Sequence, residues 1–136
     1  MEQIIYNEDC AKIIYEPELN LLTQSWKREI NSEEYRRVFL TSYFTVKEFK
    51  IARFISDITK EGFVAPEDRT WLEEELIPKA FKEGLKAAAI VYDPKRYKNY
   101  YSQKIMTASK SVGMKFKIFN EHQNAREWIL NLKFDD

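Results

Sequence analysis

The chain has one cysteine, three glycines and one histidine in 136 residues, and each scarcity removes a class of chemistry. Cys10 alone can form neither an intramolecular disulfide nor a cysteine-rich metal site. It lies between two β-rich runs without a nearby histidine or basic cluster in sequence, so a catalytic thiolate would lack its activator. The glycines, Gly62, Gly84 and Gly113, are isolated and cannot build a phosphate-cradling loop. His122 is the sole imidazole, and no nucleophile-elbow sequence accompanies it. Charge of one sign is also missing, with 22 Lys and Arg against 22 Asp and Glu. Such a chain has no electrostatic drive toward a polyphosphate backbone. No segment approaches the ~20 apolar residues that span a bilayer. The acidic start, Met1 to Asp9, lacks the basic opening and apolar core of a signal peptide. These absences predict a cytoplasmic protein with no nucleic-acid partner, membrane insertion, metal or cofactor.

What is present predicts one α/β domain over residues 1–136. A chain of this length buries roughly two-thirds of its unfolded surface and needs no metal or disulfide staple. An apolar segment from Ile51 to Ile58 includes Asp57 near its end, Pro66 to Glu83 reads as a helix, and Leu85 to Tyr92 is apolar without alternation. Apolarity on both sides marks a strand covered by helices on both faces, so the three pieces predict a βαβ unit. Pro66 suits a first helical turn, Gly84 suits a left-handed stop, and Pro78 predicts a kink because it cannot donate to Glu74.

The flanking regions extend this pattern. Gln3–Asn7 and Ala11–Glu16 are β-rich, Glu16-Pro17-Glu18-Leu19 suits a type I turn, and Asn20 to Lys27 alternates. The first helix opens at Asn31 with Glu34 reaching back, or at Ser32 one residue later. Its buried stripe runs Tyr35, Val38, Phe39, Ser42, Tyr43, Val46 and Phe49. Tyr97, Tyr101, Ile105, Ala108 and Val112 form the stripe of another helix. Met114 to Phe119 alternates as a strand near the sheet edge, and Asn120 with Gln123 resembles a capping box for the last helix.

An N-terminal antiparallel hairpin followed by four β-α units, giving a mixed, mostly parallel sheet flanked by helices, resembles the SpoIIAA-like or STAS-type fold. More narrowly, the chain is similar to the small bacterial STAS/SEC14-domain proteins. The resemblance rests on Leu21 to Trp26, Ser32 to Arg36, Asp57, Ala65 to Trp71, Pro78, Ile90 to Tyr92, and Ala125 to Ile129. That family has no assigned reaction. Anti-sigma-factor antagonists of this fold carry a phosphorylated serine in an Asp-Ser-Ser-Gly turn; here the comparable place reads Asp57-Ile58-Thr59-Lys60, leaving Thr59 as the nearby hydroxyl. The SEC14 name implies lipid transfer, whereas a chain this short is expected to fill its interior with its own side chains.

Ligands of open α/β sheets bind beyond the carboxyl ends of parallel strands. That rule selects the loops after Asp57, Tyr92 and Phe119, with Asp57, Thr59, Asp68 and Asp93 as ligand-binding candidates. Asp57, Asp93 and His122 would form an acid/base set if the site were catalytic. Their structural alternatives are turn-forming aspartates and a solvated histidine in a first helical turn. Tyr100 and Lys104 are candidates for a protein contact or homodimer surface, against the alternative of a tyrosine lying along its own helix. The expected function is a non-enzymatic regulatory or interaction module that binds a protein partner or a small ligand at the rim. An enzyme using Asp57, Asp93 and His122 is the alternative, and a purely structural oligomer the third.

Overall fold

A computed structural model describes residues 1–95 and 106–134. Six strands form one sheet in sequence order: β1 (Gln3–Asn7), β2 (Ala11–Glu16), β3 (Leu21–Trp26), β4 (Arg53–Asp57), β5 (Ala87–Val91) and β6 (Lys115–Phe119). β1, β2 and β3 pair antiparallel, and β3 through β6 pair parallel. A short 3-10 turn at Pro17–Leu19 joins β2 to β3, and Asn20 takes a left-handed conformation after it. The four β-α units expected from the sequence follow.

The first connection is α1 (Ser32–Phe49), capped by Asn31. Its side chain accepts from the Glu34 amide at 2.8 Å, while Glu34 accepts from the Asn31 amide at 3.1 Å. This reciprocal box settles the cap at Asn31 rather than Ser32. Asn31→Ala is expected to lower stability by about 1 kcal/mol, read from the urea midpoint at unchanged slope.

The second connection comprises α2 (Pro66–Trp71), a π-helical turn (Leu72–Leu76) and α3 (Ile77–Lys82). The break anticipated at Pro78 takes the form of that π turn, in which Ile77 N–H reaches Leu72 C=O. Re-registering the ladder just upstream accommodates the donor that proline lacks. Gly84 then closes the helix at φ 116°. The described part of α4 is 106–111, ended by Gly113 at φ 90°. The expected stripe positions Tyr97, Tyr101 and Ile105, and the interface candidates Tyr100 and Lys104, lie outside the described residues. Last comes α5 (His122–Asn131). The anticipated Asn120–Gln123 capping box is absent: the cap is Glu121, without a side-chain bond, and Gln123 donates instead to Glu127.

The sheet separates two apolar layers. On one face Ile13, Leu22, Trp26 and Ile90 pack with Tyr35, Val38 and Phe39 of α1 and with Leu72, Leu76 and Ala80. On the other, Leu21, Ile55, Ala87, Ala89 and Val91 pack with Ala125 and Ile129 of α5. β5 is therefore an inner strand covered on both sides, which explains its unbroken apolarity. β6 lies at the edge, with Lys115 and Lys117 exposed. No helix among the described residues is long and apolar enough to cross a membrane.

Candidate functional site

The carboxyl end of β3 leads into α1, and that of β4 leads into α2 through Ile58 to Ala65. Both helices therefore start at the same end of the sheet. Between their amino termini lies a cleft of about 170 Å³ bordered by Ile30, Ser32, Tyr35, Phe63, Val64 and Asp68. Asp68 is buried and binds the two helices together. It accepts from Ser32 Oγ at 2.5 Å and from Arg36 Nε at 2.8 Å. Arg36 also lies over the Trp71 ring at 5.0 Å, so its guanidinium is held from two directions.

The two loops beside the cleft pack closely. A Cβ on Gly62 would lie 2.6 Å from Glu29 Cγ, so a side chain there would have to displace Glu29. Trp26 Nε1 donates to Glu61 at 3.0 Å. Burial pushes the Glu61 carboxyl up to about 8, against the opposing pull of that bond and of the Arg69 charge. Phe63 sits at the cleft mouth with 82% of its surface exposed.

Glu61 yields a pH prediction with a definite sign. A carboxyl raised from 4.5 to about 8 on folding gives stability that is fully present below pH 4.5 and lost as pH rises through about 8. Glu61→Gln keeps an acceptor for Trp26 and removes the ionisation. The variant is expected to gain on the order of 2 kcal/mol over the wild type at pH 9, since residual exposure screens part of the charge. The two proteins should converge near pH 4.5, as followed by urea denaturation across pH.

The other candidates from the sequence occupy separate places. Asp57 accepts from Thr59 N–H at 3.0 Å and from Thr59 Oγ1 at 2.7 Å. Asp93 accepts from Lys95 N–H at 3.0 Å in the turn at Pro94. His122 is exposed in the first turn of α5, whereas Glu16 is held below the usual carboxylate range chiefly by its bond to Arg126. Of the set, Asp68 is the one that borders the cleft.

Cys10 differs from its sequence reading. It is buried with Tyr6 Oη 3.9 Å from its sulfur, and the Arg37 guanidinium, which donates to Tyr6 at 3.3 Å, also feels the thiol. The fold thus supplies a basic neighbour from α1 that local sequence does not. Asp9, Cys10 and Glu34 gather closely enough to resemble a metal cluster. Arg28, however, binds Asp9 at 3.3 Å and Glu34 at 2.7 Å, so a guanidinium already supplies the positive charge there. That bond and the Asn31 amide hold Glu34 down at about 2.

Sequence reasoning missed Phe63 at the cleft mouth and the Trp26–Glu61 bond in the neighbouring loop. Phe63 carried a usable signal, an aromatic in a loop with no periodic stripe to bury it. Glu61 carried none, because its burial depends on Trp26, 35 positions away in the chain.

No family model matches the chain, and no curated protein matches it. Among solved structures, it is similar to an uncharacterised protein of the DUF3478 family from Shewanella loihica PV-4, described as having a SpoIIAA-like fold. The two share 18% identity over 95% of this chain and 92% of that one, with a TM-score of 0.58. At that identity the likeness concerns architecture alone, and the hairpin, the parallel strands and the helical cover agree with it: the chain has a SpoIIAA-like fold.

Proposed function

We propose that the protein is a non-enzymatic interaction module whose binding surface is the rim cleft between the amino termini of α1 and α2. The supporting observation is Phe63, an almost fully exposed aromatic set at the mouth of a cleft with apolar and polar walls. A partner segment placing an apolar side chain against Ile30, Val64 and Phe63 would bury surface that water now covers. Aromatic anchors beside a pocket dominate interface energetics. Asp68 and Ser32, already bonded to each other, would fix the cleft's shape rather than perform chemistry.

The acid/base alternative has less support. Asp57 and Asp93 spend their carboxylates on turn amides, the ordinary work of aspartate at such positions.

Affinity capture from cells of the source organism tests the reading through its variants. Tagged wild type and Phe63→Ser should differ by at least about tenfold in recovery of one discrete partner, the scale of an interfacial aromatic anchor. Phe44→Ser, altering an aromatic 58% exposed on α1, should capture like wild type. Equal recovery by wild type and Phe63→Ser would defeat the proposal.

A further inference from the structure

A second cavity lies between the helical layer and the sheet, and its lining is far more apolar than that of the rim cleft. It holds about 80 Å³ between α1, the helix around the π turn, α4 and the sheet. Phe39, Val46, Leu76, Ala80, Met114 and Phe116 are among its walls, and no charged side chain of the described residues lines it.

Three serines, Ser42, Ser56 and Ser109, interrupt the apolar lining. Ser42 Oγ donates to Gln24 Oε1 at 2.7 Å. Ser109 is 1% exposed, and its hydroxyl has no hydrogen-bond partner among the described residues. Gln24 Nε2, beside the Ser42 bond, is buried and likewise lacks one. Buried polar atoms are nearly always paired, and an unpaired one costs about as much as a lost hydrogen bond. An unpaired hydroxyl on a mainly apolar cavity wall is the arrangement that a ligand with one polar atom would complete.

We propose that this cavity binds a small neutral aliphatic molecule carrying a single hydroxyl or carbonyl oxygen, which bonds to Ser109. The volume sets the size. An engineered cavity of roughly 150 Å³ takes benzene, so about 80 Å³ suits a short chain of a few carbons. The absence of charge in the lining sets the head group, because an ionised carboxylate would lose its hydration without compensation. Serine can donate to a carbonyl or exchange a bond with a hydroxyl, so both chemistries fit.

Methyl NMR titration with ethanol and with ethane tests this. Saturable shifts of the Leu76 and Met114 methyls are expected with ethanol. Ser109→Ala should bind the alcohol about fivefold more weakly, the yield of one net hydrogen bond, and leave ethane affinity unchanged. Ala80→Leu fills the cavity and should abolish both responses; Ala88→Val serves the same end should Ala80→Leu not fold. No saturable shift, undiminished binding by the filled variants, or equal loss of alcohol and alkane in Ser109→Ala would overturn the proposal and leave an ordinary packing void.

Discussion

Replacing Arg53 by alanine is expected to lower stability by about 3 kcal/mol, the loss concentrated where α5 meets the sheet. Arg53 opens β4, and its side chain reaches the face that α5 covers. Nε donates to Ile129 C=O at 3.0 Å, Nη1 to Leu19 C=O at 3.2 Å and Nη2 to Leu132 C=O at 3.2 Å. The guanidinium also lies over the Phe134 ring at 4.9 Å. One planar fork thus ends α5, ties down the turn before β3 and anchors the segment after the helix. Alanine strands three carbonyls that are partly removed from water. Arg53→Lys should recover less than half of the loss, because a point charge on a flexible stem cannot serve three acceptors. Urea unfolding measures the total, and amide exchange should show α5 losing protection ahead of β4 and β5.

Asp68→Ala should cost about 2–3 kcal/mol and also open the rim cleft. Asp68 is 3% exposed and accepts from both Ser32 and Arg36, so its removal leaves two donors of α1 without their acceptor. Arg36 is 42% exposed on its side chain and can turn to water, which keeps the cost below that of a fully buried pair. Asp68→Asn should lie between alanine and wild type, retaining the Ser32 bond without the charge. In a double-mutant cycle with Arg36→Ala, the losses should fall short of additivity by about 1 kcal/mol, since the two side chains share one bond. Full additivity would mean that Asp68 acts through packing alone.

The architecture was legible because its signals are local or periodic. Ala87 to Val91 is apolar on every side because β5 meets helices above and below. Asn31 and Glu34 announce α1 within four residues. Gly84 and Gly113 mark helix ends by the conformations they permit. Elsewhere local patterns misled. Asn120 and Gln123 have the spacing of a capping box, yet Gln123 finds Glu127 one turn on, and Glu121 supplies the cap. Pro78 signalled trouble in the helix without revealing that a π turn would absorb it. A cleft does lie at the carboxyl ends of the parallel strands, and Asp68 alone of the named carboxylates borders it. Glu61 and Trp26 meet only when the loop after β4 packs against the end of β3, an event with no signature in either segment. The same holds for the apolar cavity, whose walls come from segments as far apart in the chain as Phe39 and Phe116.

The cleft between α1 and α2 is the surface proposed to meet a partner. Its most direct test places a photoreactive benzophenone side chain at position 63, at 44 on α1, or at 122 on α5, and irradiates cells of the source organism expressing each protein. The reading predicts one discrete adduct from position 63 that disappears when Ile30→Asp is added, and none of the same mass from 44 or 122. An adduct confined to position 122 would contradict it and move attention to the opposite face of the sheet.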